Sequence, residues 1–233
     1  MSSQVLETRK HQVELFDRYA DTYVAKHNQQ YLKGRLTFLL SRLTGRSKIR
    51  ILEVGTGVGV ITRAVSQRLP NAEIYGLDYS EGMIRNRCFG NGIVGDAERL
   101  SFRDACFDWI IASDIIENVE HPERLIAEAV RCLKPRGHLL LTTPNPLFVP
   151  LLNLTRYLGL SFSSERLLGL RVVKQWFAKY RLRIVVEQST NSAFGIALAM
   201  GIGGEWETDR LVDSTSSWRY LYLTRCFDLE KDV

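Results

Sequence analysis

Residues 49–62, Ile-Arg-Ile-Leu-Glu-Val-Gly-Thr-Gly-Val-Gly-Val-Ile-Thr, carry an apolar strand into a glycine-rich turn and then into a helix. Gly55, Gly57 and Gly59 lack Cβ, so the backbone can take positive φ and a ligand can lie directly against it. The helix that follows keeps Val60, Ile61, Ala64, Val65 and Leu69 on one stripe, and its partly positive N-terminus faces the same turn. A strand, turn and helix of this kind hold a nucleotide-like cofactor or simply close a tight turn, and the residues downstream discriminate between these.

Asp78 closes a second apolar strand, Glu73-Ile-Tyr-Gly-Leu-Asp, nineteen residues after Gly59. Nucleotide-binding α/β folds place a ribose-binding carboxylate about twenty residues after the turn. A dinucleotide fingerprint needs G-x-G-x-x-G, whereas this turn has Val60 in place of the third glycine. The pattern present is E-x-G-x-G-x-G, which opposes a nicotinamide oxidoreductase.

That pattern resembles motif I of the class I S-adenosylmethionine (SAM) dependent methyltransferases, and the similarity continues in order over residues 51–145. Asp78 and Tyr79 look like the ribose acid and the side chain beside the adenine. Gly95-Asp96-Ala97-Glu98 resembles the loop that binds the adenine amino group. Phe107–Ser113 matches the fourth strand, and the stretch from Leu133 to Asn145 matches the helix end and fifth strand, usually written L-K-P-G-G, with Arg136 in place of the first glycine. The resemblance implies a doubly wound, seven-stranded, mostly parallel α/β sheet whose last strand is antiparallel. It also implies SAM as cofactor, held by Glu53, Gly55, Thr56, Gly57, Gly59, Asp78, Tyr79, Asp96, Ala97 and the backbone at Ser113.

Global properties agree with one domain over residues 1–233 and with a cytoplasmic location. Hydrophobic content is 45% and charged content 24%, no apolar run reaches membrane-span length, and the first ten residues lack the apolar core of a signal peptide. The four cysteines are far apart, so neither disulfides nor a zinc site is expected. Although the net charge is +5, the 31 basic and 26 acidic residues are interspersed. With no Asn/Asp-Pro-Pro-Tyr or Pro-Cys signature of base methylases, a small or lipophilic acceptor is favoured over nucleic acid.

Residues 1–46 read as an N-terminal helical cover. Phe16, Tyr19, Ala20 and Tyr23 share one face, and a helix spans Leu32–Leu43 with Arg35 near the expected methionine carboxylate of SAM. Strands are expected at Ile49–Val54, Glu73–Asp78, Phe107–Ser113, His138–Thr142, Leu182–Gln188 and Trp218–Phe227, with a helix opened by Pro122 and ended by Pro135 and Gly137. His138 starts a strand, opposite the ligand end, and receives no role. Residues 144–180 form an insertion in which the apolar, proline-broken stretch to Phe162 reads as a substrate lid or an interfacial segment, with peripheral membrane contact through 147–162 as one outcome. Phe194–Gly204 reads as a flexible loop.

Ser113-Asp-Ile-Ile-Glu-Asn-Val-Glu-His-Pro resembles the E-x-x-E-H-V-x-D-P segment of ubiquinone-biosynthesis O-methyltransferases. Asp114, Glu117 and Asn118 occupy the matching positions and on one helical turn would share a face, a hard-oxygen set for Mg²⁺ in which asparagine replaces the family's histidine. Asp114, Glu117 and His121 are therefore the candidate catalytic groups, with His11 and His27 as other candidate bases. The reading that results is a SAM-dependent methyltransferase acting on a small or lipophilic acceptor at oxygen. Nitrogen or carbon methylation, or a non-catalytic SAM-binding protein, stand as alternatives.

Overall fold

The structure, a computed structural model, describes residues 29–44, 48–146, 168–192, 212–213 and 222–233. Among the described residues, helices α1 (Gln29–Arg42), α2 (Val60–Arg68), α3 (Glu81–Arg85), α4 (Pro122–Cys132) and α5 (Leu170–Lys179) flank one sheet. Its strands are β1 (Arg50–Val54), β2 (Glu73–Asp78), β3 (Asn91–Val94), β4 (Phe107–Ser113), β5 (Leu133–Pro144), β6 (Leu182–Ser192), β7 (Val212–Asp213) and β8 (Tyr222–Lys231). They lie in the order β3-β2-β1-β4-β5-β8-β6-β7. β1 to β5 are parallel, and β8 is antiparallel to both β5 and β6. This is the expected seven-stranded sheet with an antiparallel last strand, extended by the two-residue β7 on the β6 edge.

Alternation along each strand feeds two cores. Leu139 and Leu141 join Phe107, Ile110, Leu125, Ile126, Phe177 and Phe227 on the face under α4 and α5. Leu140 joins Phe38, Leu39, Ile51, Val65, Ile111 and Cys226 on the face under α1 and α2. Burial on both faces explains why β1 and β4 read as apolar runs rather than alternating strands. Connections reverse direction between β1 and β4, so their C-terminal ends diverge and open a crevice at the topological switch point.

Helix α1 runs Gln29–Arg42 rather than Leu32–Leu43, and further boundaries differ from the sequence expectation. α4 ends at Cys132 and β5 starts at once with Leu133, not at His138. Between the pairs Phe107↔Leu133 and Trp109↔His138 the chain bulges, and Arg136 turns it with φ 61°. β6 continues past Gln188 to Ser192. The last strand covers Tyr222–Lys231 rather than ending at Phe227, because its polar end is satisfied internally. Asp228 accepts from Arg42 and meets His138, and Lys231 Nζ donates to the carbonyls of Val130 and Leu133.

Of the expected insertion 144–180, Leu170–Lys179 is helix α5, packed through Val173 and Phe177 against the sheet. Residues 147–167, the cover residues before Gln29 with His11 and His27, and Phe194–Gly204 lie outside the described residues. No helix among the described residues is long and apolar enough to cross a membrane.

Candidate cofactor and acceptor site

The glycine turn sits at the C-terminal end of β1. Gly55, Gly57 and Gly59 all have positive φ, at 70°, 55° and 84°. The backbone N–H groups of Gly55 and Thr56 donate to the carbonyl of Leu77 at 2.8 and 3.0 Å, tying the turn to β2. A Cβ on Gly55 would come within 2.5 Å of Ile115, and one on Gly59 within 1.9 Å of the Phe89 ring. Those two glycines are therefore demanded by packing within the protein as well as by backbone conformation.

Asp78 ends β2 directly beside the turn. Its Oδ2 accepts from the N–H of Gly57 at 2.8 Å and its Oδ1 from the N–H of Ser80 at 2.9 Å. The two N–H groups fix the orientation of the carboxylate beside the turn. Tyr79 follows with 47% of its surface exposed. Across from it, Asp96 Oδ1 accepts from the N–H of Glu98 and fixes the loop after β3, while Ala97 is buried in the core. A clamped carboxylate, a half-exposed aromatic ring and a glycine turn suit the nucleoside of SAM.

Glu53 is turned inward. Its Oε2 accepts from Thr56 Oγ1 at 2.9 Å and from Thr62 Oγ1, and the two hydroxyls contact each other at 2.8 Å. Burial pushes its carboxyl up to about 7, with the Thr62 and Thr56 hydroxyls opposing that shift. Thr56 is likewise buried. Both side chains brace the turn from below.

The residues after β4 do not form the helical turn that the i, i+3, i+4 spacing suggested. Asp114 adopts φ 49°, and a left-handed residue breaks the helical spacing at its first member. Its Oδ2 pairs with Arg35 Nη1 at 2.6 Å and its Oδ1 accepts from Thr142 Oγ1 at 2.7 Å. Arg35 is thus committed to Asp114, not held open as an isolated surface group. Glu117 is buried and its Oε2 accepts from Thr143 Oγ1 at 3.2 Å, while Asn118 Nδ2 donates to the Asp114 carbonyl. Each of the three is directed to a different neighbour, and no group of three metal-ligating side chains occurs among the described residues. The donor set does not fit Mg²⁺.

His121 is the N-cap residue of α4 but makes no side-chain cap bond, and its Nε2 lies 3.1 Å from Glu120 Oε1 with the ring 43% exposed. Ser113 Oγ contacts Thr142 Oγ1 at 3.0 Å. Sequence reading overlooked Thr142, Thr143, Ser189, Thr224 and Arg225, which with Ser113 form a belt of buried polar side chains across β4, β5, β8 and β6. One signal was available: Arg225 interrupts the otherwise apolar text Leu-Thr-Arg-Cys-Phe, and an arginine inside a buried strand needs a reason.

Residues 52–141 match the family described as Methyltransferase domain. Over 145 residues the chain is 30% identical to the demethylmenaquinone methyltransferase of Thermotoga maritima, covering 58% of this chain and 62% of that protein. Over 112 residues it is 34% identical to the ubiquinone/menaquinone biosynthesis C-methyltransferase UbiE of Bordetella parapertussis, covering 44% of this chain and 43% of that protein. The chain spans less than two thirds of the length of these relatives. A solved SAM-dependent methyltransferase of Thermotoga maritima shares the fold, with TM-score 0.70 at 18% identity over 94% of this chain and 99% of that one. Sheet order and motif placement give the chain the fold of class I SAM-dependent methyltransferases, and its residues 52–141 match their methyltransferase domain. Within that class, the curated relatives just described carry the names of quinone-biosynthesis enzymes.

Proposed function

We propose that this chain transfers the methyl group of SAM to a small, lipophilic ring acceptor at oxygen. The observation that carries the reading is the clamp on Asp78 by Gly57 and Ser80 at the glycine turn, next to the half-exposed Tyr79. SAM supplies an electrophilic methyl on sulfonium. The protein's contribution is alignment of acceptor, methyl and sulfur, an effect that can supply roughly 7–11 kcal/mol of barrier lowering. Glu117, buried at the acceptor end beside Thr143, takes the proton of the acceptor hydroxyl as the oxygen–carbon bond forms and the carbon–sulfur bond breaks. The apolar stretch 147–162 suits a wall for the acceptor or a contact with a bilayer surface.

The test is incubation with methyl-labelled SAM and a naphthohydroquinone, followed by mass spectrometry. Labelled product is expected, and binding without any product would leave a non-catalytic SAM-binding protein. The reaction should keep full rate in EDTA, because Asp114, Glu117 and Asn118 are engaged with Arg35, Thr142 and Thr143 or the backbone. A second reading, methylation at ring carbon, is favoured by the name of the UbiE relative. The chemical shift of the labelled methyl carbon separates the two outcomes.

A further inference from the structure

Arg225 lies near the start of β8, level with Thr143 of β5 and Ser189 of β6. Paired residues of an antiparallel ladder face the same side. This is the rung next to Pro144, where β5 ends, and the Thr143 hydroxyl beside it donates to Glu117. Arg225 is 3% exposed. Its Nη1 donates to Ser189 Oγ at 2.9 Å and its Nη2 pairs with Glu187, whose other oxygen accepts from Lys174 Nζ at 2.7 Å. The Nε–H has no acceptor.

A purely structural ion pair does not account for this arrangement. Lys174 alone neutralises Glu187, and burial of a second cation with a donor left over is costly unless something else uses it. Glu187 feels both cations: burial alone would raise its carboxyl, but Lys174 and Arg225 hold it below its ordinary value. Two cations on one carboxylate, at the acceptor end of the sheet, leave room for one more negative group.

We propose that Arg225 is the recognition residue for an oxyanion on the acceptor, which makes the acceptor class a ring carrying two conjugated oxygens, one of them ionisable. This inference rests on the methyltransferase reading. Glu117 removes the hydroxyl proton, and the electron pair left behind is shared between an oxygen held by the Arg225 Nε–H and the atom that attacks the methyl carbon. The carbon–sulfur bond breaks, S-adenosylhomocysteine leaves, and the proton passes from Glu117 to solvent. A planar guanidinium that never deprotonates suits that role better than an ammonium.

The experiment measures binding to the full chain in the presence of S-adenosylhomocysteine. One probe is a hydroxynaphthoquinone, ionised at neutral pH, and the other is its methyl ether. Wild type should prefer the ionised probe by about tenfold or more, a preference that Arg225→Gln abolishes while the ether changes by less than about threefold. Arg225→Lys keeps a charge on Glu187, so it serves if the glutamine variant fails to fold. It should lower the preference by roughly threefold or more, since the fixed fork is lost. Equal binding of the two probes by wild type, or an unchanged preference in a folded variant, overturns the proposal. Intact preference without methyl transfer would overturn the methyltransferase reading alone.

Discussion

At Asp78, two backbone N–H groups fix a carboxylate before any ligand arrives. Asp78→Ala should therefore weaken SAM binding by about 2–4 kcal/mol, from lost charge-assisted hydrogen bonds and from release of the Gly57 N–H. Isothermal calorimetry measures it, and unchanged affinity would remove Asp78 from the site. Arg136 is a residue of the opposite kind, an L side chain held at φ 61°, a backbone conformation that favours glycine. The left-handed conformation costs a non-glycine residue roughly 1–2 kcal/mol, against about 0.5–1 kcal/mol of extra unfolded-state freedom for glycine. Arg136→Gly should consequently raise stability by up to about 1 kcal/mol in urea unfolding. The next residue shows the reverse: a Cβ on Gly137 would lie 2.9 Å from the Lys134 carbonyl oxygen.

Helix α1 illustrates how an element is held by charge as well as by apolar contact. Phe38 and Leu39 bury its inner face, with Leu43 buried just past its end, Arg35 reaches Asp114 after β4, and Arg42 reaches Asp228 in β8. The Arg35–Asp114 pair ties α1 to the residue that follows the fourth strand. Removing one member of a buried pair leaves the other charge uncompensated, at a cost of about 3–5 kcal/mol. Arg35→Met should reach the lower part of that range, because Thr142 still donates to Asp114. Adding Asp114→Asn should recover part of the loss, and strictly additive effects of the two substitutions on urea midpoints would show that the pair is not coupled.

Across the whole molecule, stability should respond to pH through Glu53. Its carboxyl titrates near 7 when folded, against 4.5 for the ordinary group. A raised folded value means the contribution is fully present below about pH 4.5, where the side chain is protonated in both states. It is lost as pH rises through about 7, because the unfolded chain ionises first. The span of about 2.5 units corresponds to roughly 3 kcal/mol. Glu53→Gln removes this titration, so wild type should lose roughly 2–3 kcal/mol relative to the variant between about pH 5 and about pH 8. Parallel pH profiles would contradict the burial argument. Glu128 moves the other way: hydrogen bonds from Arg131 hold its carboxyl below its ordinary value, so its contribution is lost as pH falls through that lowered value.

Local chemistry determined much of this protein from the sequence alone. The glycine turn, the apolar strands and the Pro122 helix start are short-range patterns, and each reappears in the sheet and crevice. The place of Asp78 at the end of β2 beside the turn was legible as well, because its distance from the turn is set by one strand-helix-strand unit. What tertiary structure decided are the partners of side chains far apart in the chain. Helical spacing suggested that Asp114, Glu117 and Asn118 would converge, yet Asp114 left that geometry and paired with Arg35, 79 residues away. Glu53 likewise turned inward to two threonines, where a sequence motif places a ligand contact. Arg225, Ser189 and Thr143 meet only because β8 inserts antiparallel between β5 and β6, a neighbourhood that no local pattern encodes. Sequence spacing specifies elements and their turns, whereas burial and long-range pairing choose which polar groups stay available for chemistry.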